Sequence, residues 1–362
     1  MKITDIQTIP LFIPMKEKPP LAPLAETSAH HTVIKVSTDE GLVGLGEVFR
    51  FAPITMGMFI DEALKPLLIG QNPLQIEKLW ALMYNATYRY GRMGLPLHAI
   101  SGVEIALWDI LGKFRDLPVY EMLGGACRDR VRAYASLHKY ERPEDIAKIA
   151  ERCIDQGYTA IKLHQRDVAS VRTVRETVGD GIELMMDASG GWTPREAAAM
   201  VDALKDFGLN WLEEPLAKMD DYEGLARLRK KAHMAIAAGE NEYTVGGFKA
   251  MFTAGAVDIA QPDAIKSGGI GQCRKIFALA EAYNIQTTTH SFYYGPGLAA
   301  TLQLCFSNPL SDLIEINALP LTESFIQPDI RPENGYFFPP KQPGLGVALD
   351  ENVVKKHRYE GI

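Results

Sequence analysis

From about residue 131 onward the chain repeats one unit: a short apolar run, a polar residue at its end, then a stretch with helical patterning. The runs are VRAYASLH, YTAIKLH, IELMMD, LNWLEE, MAIAAGE, VDIAQPD, IQTTTH and SDLIEIN. Helices are expected at 142–156, about 168–178, 193–207 and 220–231, and after the later runs up to the last. Strands that alternate with helices pair in parallel, because a helical crossover returns the chain to the same end of the sheet. Eight such strands in succession predict a closed barrel, not an open sheet.

The N-terminal third has a different texture. Val33–Val36 and Leu42–Val48 are β-rich runs joined by TDEG, a turn signal. Helical patterns follow at roughly 54–68, 74–85 and 96–115. The last of these, HAISGVEIALWDILGKF, is nearly all apolar on one face and is expected to be deeply packed. Leu123-Gly124-Gly125 marks a boundary, and the tail around PGLG at 343–346 no longer fits the alternation. The expected organisation is an α+β capping domain over 1–125, a barrel over 126–320, and a segment over 321–362 that returns to the cap.

Composition excludes several classes. Of 362 residues, 47% are hydrophobic and 23% charged, an ordinary globular balance. The net charge of -7 comes with no basic stripe, which argues against nucleic acid. Cys127, Cys153, Cys273 and Cys305 form no Cys-x-x-Cys pair, which fits a reducing compartment and argues against a thiolate metal site. MKITDIQTIPLFIP does not read as a signal peptide. No stretch approaches the ~18 to 20 apolar residues of a membrane span, so a cytoplasmic location is expected.

Seven successive runs end on a polar residue that barrel packing does not need. Lys162 and His164 end one; Asp187, Glu213, Glu240, Asp263, His290 and Glu315 end the next six, 23 to 27 residues apart. Each step is one strand–helix unit, so all are expected at the C-terminal rim of the barrel, where active sites of this architecture lie. Helix capping explains an Asp near a helix start. It does not explain Glu, Lys and His in strand after strand, so the ladder reads as a site.

Asp187, Glu213 and Glu240 come from three successive strands and are spatial neighbours. Three carboxylates this close repel unless a cation sits between them. All-oxygen ligands that leave room for water and substrate suit Mg²⁺ better than Zn²⁺. Glu213 is the expected ligand within EEP, because strand alternation turns Glu214 away. Asp263 and His290, on adjacent strands, make a carboxylate–imidazole pair suited to general-base work. Lys162 and His164 are two apart and share a face. A neighbouring ammonium disfavours the imidazolium, which predicts a neutral His164 ready to accept a proton. Their strand lies roughly opposite that of His290, so a base is expected on each side of a central metal.

These residues resemble the enolase superfamily, and specifically its mandelate racemase subgroup. The resemblance runs through SGVEIALWDILGKFRDLPVYEMLGG, MMDAS, WLEEP, AAGEN, QPDAIKSGGI, TTTHSF, LIEIN and PGLG, nearly the whole chain. It implies a modified TIM barrel, (β/α)7β, under an α+β cap whose loops close over the substrate. It implies Mg²⁺ on Asp187, Glu213 and Glu240, an Asp263–His290 dyad, and Glu315 as a partner of the substrate carboxylate. In the muconate cycloisomerase-like subgroup a catalytic lysine stands where Asp263 is here; Lys266, three residues later, is not that lysine. The sequence departs from the subgroup at two points. Lys162-Leu163-His164 stands where Lys-x-Lys is usual, and Ser189 where Asn is frequent.

The expected activity is removal of the proton α to a carboxylate, through an enediolate that Mg²⁺ stabilises. The resemblance favours dehydration of an acid sugar, an aldonate or aldarate, to a 2-keto-3-deoxy acid. His290 is assigned as base or acid, Lys162 and His164 as the opposite acid–base pair, and Glu315 as carboxylate partner. The alternatives are a racemase, epimerase or cycloisomerase on the same scaffold, a metal-independent glycosidase using Glu213 or Glu240, and a binding protein with a vestigial site. A homo-oligomer is expected. Substrate specificity is expected from loops at Pro14–His31, Phe49–Met56 and Tyr88–Met93. Tyr88, Arg89, Tyr90 and Arg92 are read there as contacts to a distal substrate group or as buried packing.

Overall fold

Three antiparallel strands open the chain: β1 (Ile3–Pro14), β2 (Ser28–Thr38) and β3 (Val43–Val48). The structure, a computed structural model, describes residues 1–17 and 28–359. The middle of the expected specificity loop Pro14–His31 therefore lies outside the described residues. Helices α1 (Pro53–Phe59), α2 (Lys65–Leu68), α3 (Ile76–Thr87), α4 (Leu95–Arg115) and α5 (Val119–Met122) complete the cap, with one π turn, Ile60–Leu64, between α1 and α2. Helix α4 is long and apolar enough to cross a membrane, but 89% of its apolar window is buried inside the fold. It lies directly on β3: a Cβ on Gly46 would stand 1.9 Å from the Gly102 carbonyl oxygen, so only glycine allows that approach.

The barrel strands are β4 (Val131–Leu137), β5 (Ala160–His164), β6 (Glu183–Asp187), β7 (Leu209–Glu213), β8 (Ala235–Ala238), β9 (Ile259–Ala260), β10 (Gln286–Thr287) and β11 (Leu313–Asn317). Between them run α6 (Pro143–Asp155), α7 (Val168–Val178), α8 (Pro194–Leu204), α9 (Tyr222–Arg229), α10 (Thr244–Thr253), α11 (Ile270–Ala282) and α12 (Gly295–Ser307). The strands pair in parallel in the order β10-β9-β8-β7-β6-β5-β4-β11, a sheet that curls on itself. No strand ladder joins β10 to β11. Side chains bridge that seam instead: Ser291 donates from its amide to Glu315 Oε2 at 2.9 Å and from Oγ to the Glu315 carbonyl at 2.7 Å. Tyr134, Ala160, Met185, Trp211, Ala237, Ile259 and Leu313 fill the bore from seven strands, so the barrel has a packed floor.

Three buried carboxylates of the cap fasten it to the rest of the chain. Helix N-termini carry unpaired N–H groups and a partial positive charge. Glu104 of α4 accepts from Ile270 N and Gly271 N, both at 2.8 Å, at the start of α11. Glu47 of β3 accepts from Gly297 N at 2.8 Å, at the start of α12. Asp109 accepts from Leu45 N and Leu345 N, each at 2.8 Å, joining β3, α4 and the C-terminal segment. Beyond β11 come β12 (Ile326–Gln327), β13 (Tyr336–Phe337), β14 (Ala348–Leu349) and α13 (Glu351–His357). The chain then runs along the cap, where Tyr359 N donates to Pro10 O at 2.9 Å.

Candidate active site at the barrel mouth

The polar ladder divides by depth. His164, Asp187, Glu240 and His290 line a cavity of about 500 Å³ between barrel and cap. Lys162, Glu213, Asp263 and Glu315 lie beneath it with no exposure at all. A common position at strand ends therefore did not mean a common height.

Asp187 and Glu213 are register partners on β6 and β7, and Glu240 follows β8. Carboxylate oxygens of the three lie within 4.8 Å of one another. Ser189 curls back, with amide and Oγ donating to Asp187 Oδ1 at 2.6 and 3.0 Å. Glu213 is clamped from below: Lys162 Nζ donates to one oxygen at 2.7 Å, and Trp211 Nε1 and Gln261 Nε2 to the other at 3.0 and 2.7 Å. An all-carboxylate set with two fixed members and one more open member, Glu240, fits a hard divalent cation.

Lys162 is enclosed. Its ammonium sits 2.7 Å from Glu213 and 2.8 Å from Glu315. Against the upward push of burial, Lys162 and His290 hold the Glu315 carboxyl down at about 2. The expectation that Lys162 keeps His164 neutral needs correction. Burial does favour the neutral imidazole, but Asp187 Oδ2 lies 3.0 Å from His164 Nε2 and raises its pKa overall. The β5–β6 register, which pairs His164 with Asp187, makes that carboxylate its dominant neighbour.

Both histidines are oriented alike. His164 Nδ1 is 2.6 Å from the Leu137 carbonyl, which can only accept, so Nδ1 carries a proton and Nε2 faces the triad. His290 Nδ1 is 2.6 Å from Asp263 Oδ2, while its Nε2 is 3.0 Å from Glu240. Burial lowers the His290 pKa, but Glu240, Glu315 and Asp263 raise it well above the usual value. Asp263 is itself fixed by Ile265 N at 2.8 Å and by the Tyr293 hydroxyl at 3.2 Å.

Other residues complete the cavity. Lys266 donates to Glu240 at 3.2 Å and to Asn241 Oδ1 at 2.9 Å, and Asn241 Nδ2 bridges Glu240 and Glu214. Glu214 adopts a left-handed backbone, φ 40, which carries its side chain into a separate small cavity. The cap contributes Phe49, Arg50 and Phe51. Tyr88, Arg89, Tyr90 and Arg92 are all exposed, so the buried packing expected for that segment does not apply, and none of the four lines this cavity. The motif QPDAIKSGGI contains Lys266 on the turn directly after Asp263, a proximity that could have marked it.

Two family models span most of the chain: the mandelate racemase/muconate lactonizing enzyme N-terminal domain over residues 12–124, and the enolase C-terminal domain-like model over 145–353. The chain belongs to the mandelate racemase/muconate lactonizing enzyme family. Within this family, the D-galactarolactone cycloisomerase of Agrobacterium fabrum is 32% identical over 99% of both chains. The D-xylonate dehydratase of Haloferax volcanii is 33% identical over 91% of this chain and 85% of its own. A crystal structure from Bordetella bronchiseptica, provisionally named a mandelate racemase, superposes with a TM-score of 0.94 at 32% identity, covering 100% of this chain and 96% of that one.

Proposed function

We propose that this protein is a Mg²⁺-dependent acid-sugar dehydratase that removes the proton α to a carboxylate and then expels the β-hydroxyl. Asp187, Glu213 and Glu240 would hold the cation. When bound, it supplies positive charge beside the substrate carboxylate and so lowers the cost of removing the neighbouring proton. The observation that carries the reading is the pair of imidazoles. His164 reaches the triad at Asp187 and His290 at Glu240, each with Nδ1 committed to an acceptor and Nε2 turned to the carboxylate.

One Nε2 takes the α-proton and the other delivers a proton to the departing hydroxyl, which leaves as water. The enol so formed becomes the 2-keto-3-deoxy acid by taking a proton at C3. Lys162 acts from the floor as a positioning residue, holding Glu213 and Glu315 in place. Lys-x-His in place of Lys-x-Lys makes the two bases alike in type and unequal in surroundings. One neighbours Asp187, and the other contacts both Asp263 and Glu240.

The dehydratases among the relatives support this outcome. A cycloisomerase is the second reading, favoured by end-to-end similarity to the A. fabrum enzyme. A panel of aldonates and aldarates assayed with Mg²⁺ for 2-keto product tests the proposal. Keto product that disappears with chelator and returns with Mg²⁺ is expected. Isomerised substrate without keto product would favour the second reading, and full activity after complete metal removal would contradict both.

A further inference from the structure

The cavity is unevenly charged. Among the described residues, Asp187 and Glu240 are the only carboxylates in its lining, and both belong to the triad. Away from the triad the charged lining residues are Arg50, after β3; Lys139, after β4; and Arg166, after β5. The histidines that precede Lys139 and Arg166 in the chain meet Arg50 around Phe292. Its ring is 4.9 Å from the His138 ring, 5.2 Å from the His164 ring and 5.9 Å from the Arg50 guanidinium. Lys139 directly follows His138, and Arg166 lies two residues beyond His164.

Two of these cations, Lys139 and Arg166, meet no carboxylate among the described residues. Arg166 donates from Nε to Ala188 O at 2.8 Å and from Nη2 to Ser189 O at 2.9 Å. Carbonyl partners orient a guanidinium without cancelling its charge. Lys139 makes no ion pair among the described residues. The adjacent His138 stays neutral, since burial and its neighbour His164 push its pKa down to about 3. A neutral hydroxymethyl terminus offers such cations little, whereas an anion gains charge-assisted hydrogen bonds there.

We propose that the substrate carries a second anionic group at the end remote from its reacting carboxylate, and that Lys139 and Arg166 select it. The inference rests on the reading that the reacting carboxylate lies at the triad. A terminal carboxylate and a terminal phosphate share the required chemistry.

Calorimetric titration of the Mg²⁺-loaded protein separates them. The ligands are gluconate, glucarate and 6-phosphogluconate, with galactonate and galactarate as a second configuration. At least one dianion is expected to bind on the order of tenfold more tightly than its monoanion, a preference that weakens as salt rises. Tight glucarate or galactarate assigns the group as carboxylate; tight 6-phosphogluconate assigns it as phosphate. Lys139→Gln and Arg166→Gln should each shrink the dianion-to-monoanion ratio. Because Arg166 also holds the 188–189 loop, Lys139→Gln is the cleaner variant. Monoanions binding as tightly as dianions in both configurations, no detectable binding of any dianion, or a ratio unchanged in both variants would overturn the proposal. A keto-product assay on the same ligands keeps the two readings apart. Dianion preference without product sinks dehydration alone, and product from monoanions without that preference sinks this inference alone.

Discussion

The protein buries carboxylates in two regions and treats them in opposite ways. At the joint between cap and barrel, Glu104 meets two backbone N–H groups at one helix start, and Glu47 meets one at another together with the His31 imidazole, 2.7 Å away. At the barrel mouth, Asp187, Glu213 and Glu240 converge within 4.8 Å. Their partners there are mobile protons and cations: two imidazoles and two ammonium groups. The first arrangement satisfies charge locally and so adds rigidity. The second leaves mutual repulsion that a divalent cation relieves. Burial alone therefore does not mark function in a carboxylate; convergence with other carboxylates does.

Mutating each region should separate the two roles. The largest effect is expected at the mouth, where Glu240→Gln removes one ligand. Mg²⁺ affinity measured calorimetrically, and turnover with it, should fall at least ~100-fold. The Tm of the metal-free protein should move by less than about 3 °C, because Gln keeps the side chain's shape and an oxygen for Lys266, while relief from Asp187 and Glu213 partly offsets the lost attraction to Lys266 and His290. Next come the bases: His290→Asn and His164→Asn should each lower turnover by roughly 100-fold, read from initial rates at saturating substrate. A histidine variant with wild-type turnover would move the proton chemistry elsewhere.

The joint should respond in stability instead. Glu104→Ala strands Ile270 N, Gly271 N and Trp108 Nε1 without their acceptor, so denaturant unfolding should show a loss of roughly 3 kcal/mol. Turnover per folded molecule should change far less than in the mouth variants. The smallest effect is a pH dependence. Burial pushes the Glu104 carboxyl from 4.5 up to about 7, partly opposed by its three N–H donors. Between those values the unfolded state has lost the proton and the folded state still holds it. This group's contribution is therefore complete below pH 4.5 and is lost as pH rises toward 7. Glu104→Gln removes the titration, so the stability difference between wild type and variant should shift in the variant's favour from pH 5 to pH 7. A difference that is flat with pH would show that the carboxyl is already ionised in that window.

Much of this was legible in the sequence because periodicity carries it. The alternation of apolar runs and helical stretches located all eight strands, and the spacing of Asp187, Glu213 and Glu240 grouped three acids that the fold does bring together. Depth was not legible. Lys162 and His164 differ by two residues and share a face, yet one is sealed beneath the triad and the other lines the cavity. Nor was the charge state around His164, since its controlling neighbour is set by the β5–β6 register and not by the chain next to it. Arg50, Lys139 and Arg166 were invisible for another reason. Arg50 lies in the cap outside the repeat, Lys139 and Arg166 each stand two residues past a strand end, beyond the ladder, and only the closed fold brings all three to one cavity.

The central claim is that an α-proton is removed on the way to losing a hydroxyl. Running an active acid sugar part-way to completion in D₂O with Mg²⁺, and examining substrate and product together by NMR, tests it most directly. The account predicts a 2-keto-3-deoxy acid with deuterium at C3 and little α-deuterium in the unreacted substrate. Rapid appearance of the α-deuterated epimer, without keto product, would contradict it.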